Sequence, residues 1–449
     1  MQSLVAAAAE APPAGGAAIG QVVIATVAAN VLAGGLAWVG MRYRAGRPTP
    51  LAPLAKFSER VSGMPAWAAI PGATVTGALL IALFGMLWDI SLHIADGRDE
   101  GPLANPAHYF ILAGLFGVLA SGFLSMVLPK GKPSGSAIRI RGDWYAPLGG
   151  VLITACGAFS LIGFPLDDVW HRLFGQDVTL WGPTHLMLIA GAAMTLVGLA
   201  VLLVEAKRSR EAAERPRKEP TWIASLRHVA LPGAFLLGLS TFQAEFDFGV
   251  PQFRFIFEPM MVMLAAGAAL VAARVWLGRG AAIGAVLFFL ALRGLIALIV
   301  GPVLGEPTPY FPLYLVEAVI VELLALRLSA RSRPLAFGAA AGALIGTVGL
   351  AAEWGWSHVF MPLPWPSELL PEAALAGFAV AVAGSLIGAW IGARLNADEL
   401  PVASTPRLRL AAVASAAVLA GLTGWALMKP AEAGVRGTVV LSEAVGGDA

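Results

Sequence analysis

Apolar runs of about twenty residues recur along almost the whole chain, separated by short polar stretches, and a run of that length spans the hydrocarbon core of a bilayer. They predict helices at roughly 17–40, 66–94, 106–128, 144–166, 181–205, 227–248, 254–276, 280–302, 310–328, 334–357, 369–394 and 405–428, about twelve spans. The fold class expected is therefore all-α, a polytopic integral membrane protein with the lipid bilayer as its first partner. Helices two to eleven pair into five hairpins, 66–128, 144–205, 227–276, 280–328 and 334–394, within a bundle covering 17–428. The ends, 1–16 and 429–449, are expected to be tails, the second with a strand-like T-V-V-L. No basic segment opens the chain, so no cleaved leader is expected.

Charge adds a direction. Lys and Arg gather in 42–60, 130–141, 207–227, 274–279, 327–333 and 394–409, whereas the alternate loops hold only Arg98 and Arg172, with Arg254 just beyond one of them. Basic residues mark cytoplasmic loops. Both tails and the tips of all five hairpins are thus expected outside the cell membrane. Carboxylates crowd that outer rim and read as a cation-attracting surface. Composition agrees: 58% of residues are hydrophobic and 13% charged, against about 25% charged in globular domains. The single cysteine, Cys156, excludes an intrachain disulfide. No phosphate-binding glycine loop, catalytic serine order or nucleic-acid motif occurs, so no nucleic-acid partner is expected.

Candidate chemistry lies at the tips of the first two hairpins. Trp88 to His108 and Asp167 to His185 share Asp-x3-His, Gly-x-Asp and Pro-x-His, so Asp89, His93, Asp99 and His108 match Asp167, His171, Asp177 and His185. This is read as an internal repeat, repeat A at 66–128 and repeat B at 144–205. Asp and His four apart share one helix face, and the closing histidine opens the returning helix two residues after a proline suited to a helix start. Two ligands at one helix end and one at the next helix start can meet on a single ion. Imidazole with carboxylate suits copper(II), zinc or iron. Asp89, His93, His108, Asp167, His171 and His185 are the expected ligands, in two separate sites or one shared. Asp99 and Asp177 are expected to support them by orienting imidazoles. Haem is not expected, because these histidines sit at helix ends beside aspartates. The other readings of the same residues are a hydrogen-bonded clasp in a structural subunit of a membrane complex, and a transport path for metal ions or protons.

The pattern resembles the copper site of the C subunit of particulate methane and ammonia monooxygenases, which also has Asp-x3-His followed by a histidine on a membrane hairpin. The resemblance covers two short stretches and implies copper, oxidative chemistry and partners in the form of further membrane subunits or an extracytoplasmic redox protein. The whole chain also looks like a class of bacterial multi-span proteins with W-D-x3-H and G-R-D signatures, which implies a bacterial cytoplasmic membrane and supplies no function.

Two further polar features are expected. Glu353, His358 and Glu372 form a looser echo of the motif on the fifth hairpin. Arg293 falls in the middle of an apolar run, where an unpaired arginine costs several kcal/mol, and Glu322 is its expected partner by depth. His228 lies away from the other histidines, and the tryptophans near helix ends are explained by interfacial belts.

Overall fold

Proline and capping side chains start the helices where the apolar pattern requires them. A computed structural model describes residues 18–97, 101–174, 179–213, 218–396 and 406–428; both tails lie outside these. The first half comprises α1 (Ile19–Arg44), a short amphipathic α2 (Leu51–Ser62), α3 (Ala66–Ala95), α4 (Pro106–Val127), α5 (Leu148–Phe174) and α6 (Pro183–Glu211). Pro106 and Pro183 occupy first turns, where the missing N–H has no bond to lose. Asn105 caps α4, accepting the Ala107 N–H at 2.8 Å.

A two-stranded antiparallel hairpin, β1 (Ile138–Arg141) and β2 (Trp144–Ala146), occupies the loop before α5. It pushes the start of that helix four residues past the expected 144. Buried Glu205 fixes the junction. Its carboxylate accepts Ser134 Oγ at 2.6 Å, Ser136 Oγ at 2.5 Å, Leu148 N at 3.1 Å and Gly149 N at 2.9 Å, placing a negative charge at a helix N-terminus.

The second half comprises α7 (Thr221–Ser240, continued by short turns to Asp247), α8 (Phe257–Leu277), α9 (Ala281–Leu298), α10 (Leu315–Leu324), α11 (Pro334–Leu344), α12 (Leu350–Ser357), α13 (Leu370–Asn396) and α14 (Pro406–Met428). Among the described residues, ten helices are long and apolar enough to cross a membrane. The chain is thus an all-α polytopic membrane protein.

The span expected at 310–328 is not a full crossing. Its helix is only the ten residues of α10, about 15 Å long against a core of about 30 Å. Pro307, Pro309 and Pro312 hold the preceding chain extended, and Tyr314 turns into the helix at φ 55°. On either side, π-helical turns interrupt the neighbours, Ile299–Val303 after α9 and Ile345–Gly349 between α11 and α12.

In the first half, α3 packs along α4, α4 along α5 and α5 along α6; in the second, α8 packs chiefly on α13 and α9 on α7. Each half has its own apolar cluster, the first around Trp67, Val118 and Leu202, the second around Met263, Phe289 and Phe337. Between α3, α6 and α7 runs a cleft of about 1660 Å³. Leu83, Met86, Ile189, Leu196 and Leu237 line its length, and the Asp/His residues of both motif copies line one end.

Candidate metal centre

The two motif copies are assembled by the same local devices. Asp89 and His93 stand one turn apart near the end of α3, and Asp167 and His171 likewise near the end of α5. Four residues before each aspartate is a glycine, Gly85 and Gly163. A Cβ on Gly85 would stand 2.9 Å from Ala107 O and 2.8 Å from Phe110 Cβ; one on Gly163 would stand 3.0 Å from Met187 Cβ. The bare backbone lets the returning helix approach one turn below the aspartate, which carries His108 and His185 to the carboxylates.

The distances fit ligands around one ion. His93 Nε2 lies 3.5 Å and His108 Nε2 3.0 Å from Asp89 Oδ1. His171 Nε2 lies 3.3 Å from Asp167 Oδ2, and His185 Nε2 3.4 Å from Asp167 Oδ1. Atoms about 2.1 Å from one metal, at angles of about 90° to 110°, stand about 3.0 to 3.4 Å apart. In each copy the three donor atoms lie within 4.8 Å of one another.

Three of the four imidazoles are also held in the ligating form. His93 Nδ1 is 2.9 Å from Gly97 O, His108 Nδ1 2.9 Å from Pro102 O, and His185 Nδ1 2.9 Å from Thr179 O. A carbonyl oxygen only accepts, so Nδ1 carries the proton and the neutral ring presents the Nε2 lone pair to the cluster. In the first copy two lone pairs then face Asp89, and in the second that of His185 faces Asp167. Such an arrangement calls for positive charge between them, either a metal ion or protons that turn the rings into imidazolium.

The residues that finish each cluster differ. Asn105 Nδ2 donates to Asp89 Oδ1 at 2.6 Å, and Thr184 Oγ1 to Asp167 Oδ1 at 2.5 Å. Glu245, from the end of α7, accepts Thr179 Oγ1 at 2.5 Å and Leu180 N at 2.8 Å on one oxygen and Gln252 N at 2.9 Å on the other. It thereby fixes the loop whose carbonyl orients His185. None of these three was singled out as a supporting group in sequence. The glycine four residues before each aspartate is a legible signal, whereas the orienting carbonyls belong to unlike residues, Pro102 and Thr179, and leave no mark in the sequence.

Asp99 and Asp177 lie outside the described residues. The looser third echo is dispersed. Glu353 accepts Leu313 N at 3.1 Å and Tyr314 N at 2.5 Å, His358 Nδ1 bonds Trp354 O at 2.8 Å, and Glu372 pairs with Arg254 at 2.9 Å. The expected Arg293–Glu322 pair is likewise replaced. Arg293 binds Asp247 at 2.8 Å and Tyr310 O at 2.6 Å, while Glu322 pairs with Arg274 Nε at 3.1 Å and accepts Ala282 N at 3.1 Å. The break before α10 brings Tyr310 to Arg293, and the turns that extend α7 bring Asp247, so similar depth in sequence was outweighed by proximity across helices.

Comparison of the chain with protein-family models, with curated proteins and with solved structures gives no match.

Proposed function

We propose that this chain is a membrane metalloprotein that binds copper through Asp89, His93 and His108 and through Asp167, His171 and His185. The convergence of two imidazole Nε2 atoms on one carboxylate at ligand-to-ligand spacing, with Nδ1 committed to a carbonyl, carries this reading. Three protein ligands leave coordination positions for a substrate or water, and the ion supplies oxidative chemistry. Two imidazoles and one carboxylate are also the ligand set of non-haem iron oxygenases, so iron and zinc compete with copper in the test below. The apolar cleft that opens on both clusters favours a substrate dissolved in the bilayer. Asp99 and Asp177 would support the ligands. The distribution of Lys and Arg supports a site on the extracytoplasmic side, where a redox partner or further subunits would deliver electrons.

Metal content of protein purified in detergent without chelator, measured by mass spectrometry, is the test. Two copper ions per chain are expected for two independent groups, or one if the groups share it. The variant with His93, His108, His171 and His185 all changed to alanine should retain none. Stoichiometric iron or zinc would keep the site and replace the copper assignment. A folded wild type that takes up no ion on loading would sink the metal reading and leave the Asp/His groups as imidazolium clasps.

A further inference from the structure

The second half of the molecule buries a different set of carboxylates. Asp247, Glu258, Glu317 and Glu353 are each no more than 3% exposed, and Arg293 is buried beside Asp247. Asp247 is paired with that arginine at 2.8 Å. Glu353 is satisfied by two backbone N–H groups, Leu313 and Tyr314, at the start of α10. Glu317 is not satisfied. Among the described residues, neither of its carboxylate oxygens has a hydrogen-bond partner on another residue.

Glu317 and Glu353 are brought together by the break in the fold. The amides that bind Glu353 belong to residues three and four positions before Glu317, so Glu353 lies over the first turn of α10, where Glu317 sits. From the other side, Glu317 packs on Gly349, at the end of the π-helical turn. A Cβ on Gly349 would stand 2.8 Å from Glu317 Cγ and 2.9 Å from Oε1. Gly349 is one turn before Glu353, on the same face. Tyr314, buried and at positive φ, precedes α10, its hydroxyl 3.3 Å from Ser240 Oγ, which also receives Gln243 Nε2 at 3.0 Å.

Two carboxyl groups meeting inside a bundle, one of them met by no donor from any other residue, call for a positive charge between them, because an isolated buried carboxylate is prohibitively costly. Membrane proteins build small-ion sites where helices are broken and backbone is unwound, and π-helical turns concentrate at functional sites. We propose that the start of α10 is a binding site for one small monovalent cation, a proton or an alkali ion, held between Glu317 and Glu353. The two oxygens of Glu317 are its primary ligands, and Glu353 is the partner carboxylate fixed by the helix start. The site is separate from the Asp/His groups and does not depend on their metal.

Infrared spectroscopy and sodium binding on the full chain in nanodiscs separate the two cations. If the cation is a proton, the wild type shows the carbonyl band of a protonated acid, shifted in D2O, and the difference spectrum against Glu317→Gln assigns it to Glu317. If it is an alkali ion, equilibrium dialysis with labelled sodium shows one ion bound per chain, with affinity at least tenfold weaker in Glu317→Gln. The variant lacking the four motif histidines should keep whichever signal the wild type has. If Glu317→Gln does not fold, Gly349→Ala serves instead: it crowds Glu317 and should shift the band or weaken sodium binding several-fold. A wild type with neither a band assigned to Glu317 nor bound sodium, or a signal unmoved by both substitutions, overturns the proposal.

Discussion

The two halves of this protein surround their acidic clusters in opposite ways. In the first half, Asp89 and Asp167 sit near helix ends, each met by two imidazoles and one neutral hydrogen-bond donor, and both open on a wide cleft. In the second, Asp247, Glu258, Glu317 and Glu353 sit inside the bundle with one arginine and several backbone amides for company. Imidazolium can lose its proton and give the freed lone pair to a metal, whereas guanidinium keeps its charge and can only compensate a carboxylate. The first arrangement is suited to coordination from the cleft. The second makes the fold itself depend on balanced charge.

Stability should therefore divide the halves most sharply. Arg293→Met leaves Asp247 buried without its partner and should cost about 3–5 kcal/mol, read as a large drop in thermal unfolding midpoint in detergent. Asp89→Asn should lower that midpoint far less, because the group stands beside the cleft, while lowering metal content. Comparable losses from both would erase the distinction.

Helix approach comes next. Gly85→Ala forces a methyl group against Ala107 O, and overpacking of this kind costs about 1–3 kcal/mol. The expected readout is loss of the metal held by Asp89, His93 and His108 with the other group filled. Gly163→Ala meets only side-chain atoms, at 3.0 Å and beyond, and should do less to its own copy. Equal effects would show that the two copies are not built by this contact.

A smaller change should follow Glu245→Gln, which keeps the shape but weakens the anchor of the Thr179 loop. Groups that orient a ligand typically contribute about 10- to 100-fold in metal affinity. A tenfold loss confined to the second copy is expected from competitive chelator titration. The mildest probe is acidification. Protons compete with metal for imidazole nitrogen, so bound metal should fall with decreasing pH, whereas any ion bound by the four-histidine variant at other sites should lack this histidine-dependent release.

Much of the Asp/His site was legible because its geometry is local. Asp89 with His93 and Asp167 with His171 share a face by helical pitch alone, and the proline before each closing histidine marks a helix start. The unread parts depend on which backbone meets which. Asn105 and Thr184 occupy unmatched positions in the two copies, so alignment of the motifs could not reveal them as equivalent donors. Glu245 is more than sixty residues from the loop it holds. Pro312 argues against helix at the start of the span expected at 310–328, and the apolar composition of the stretch masks that signal.

What the sequence by itself determined is the membrane character of the chain, most of its long helices and the intrahelical half of each Asp/His group, because hydrophobic length and an i, i+4 pair need nothing but the helix. Only the tertiary structure decided that Arg293 faces Asp247 rather than Glu322, that both motif copies line one apolar cleft, and that Glu317 meets Glu353 at the start of a broken helix. Those outcomes depend on crossing points between helices, set by close backbone approaches such as that at Gly85 and by breaks such as that before α10, and a one-dimensional pattern carries no record of which helices cross.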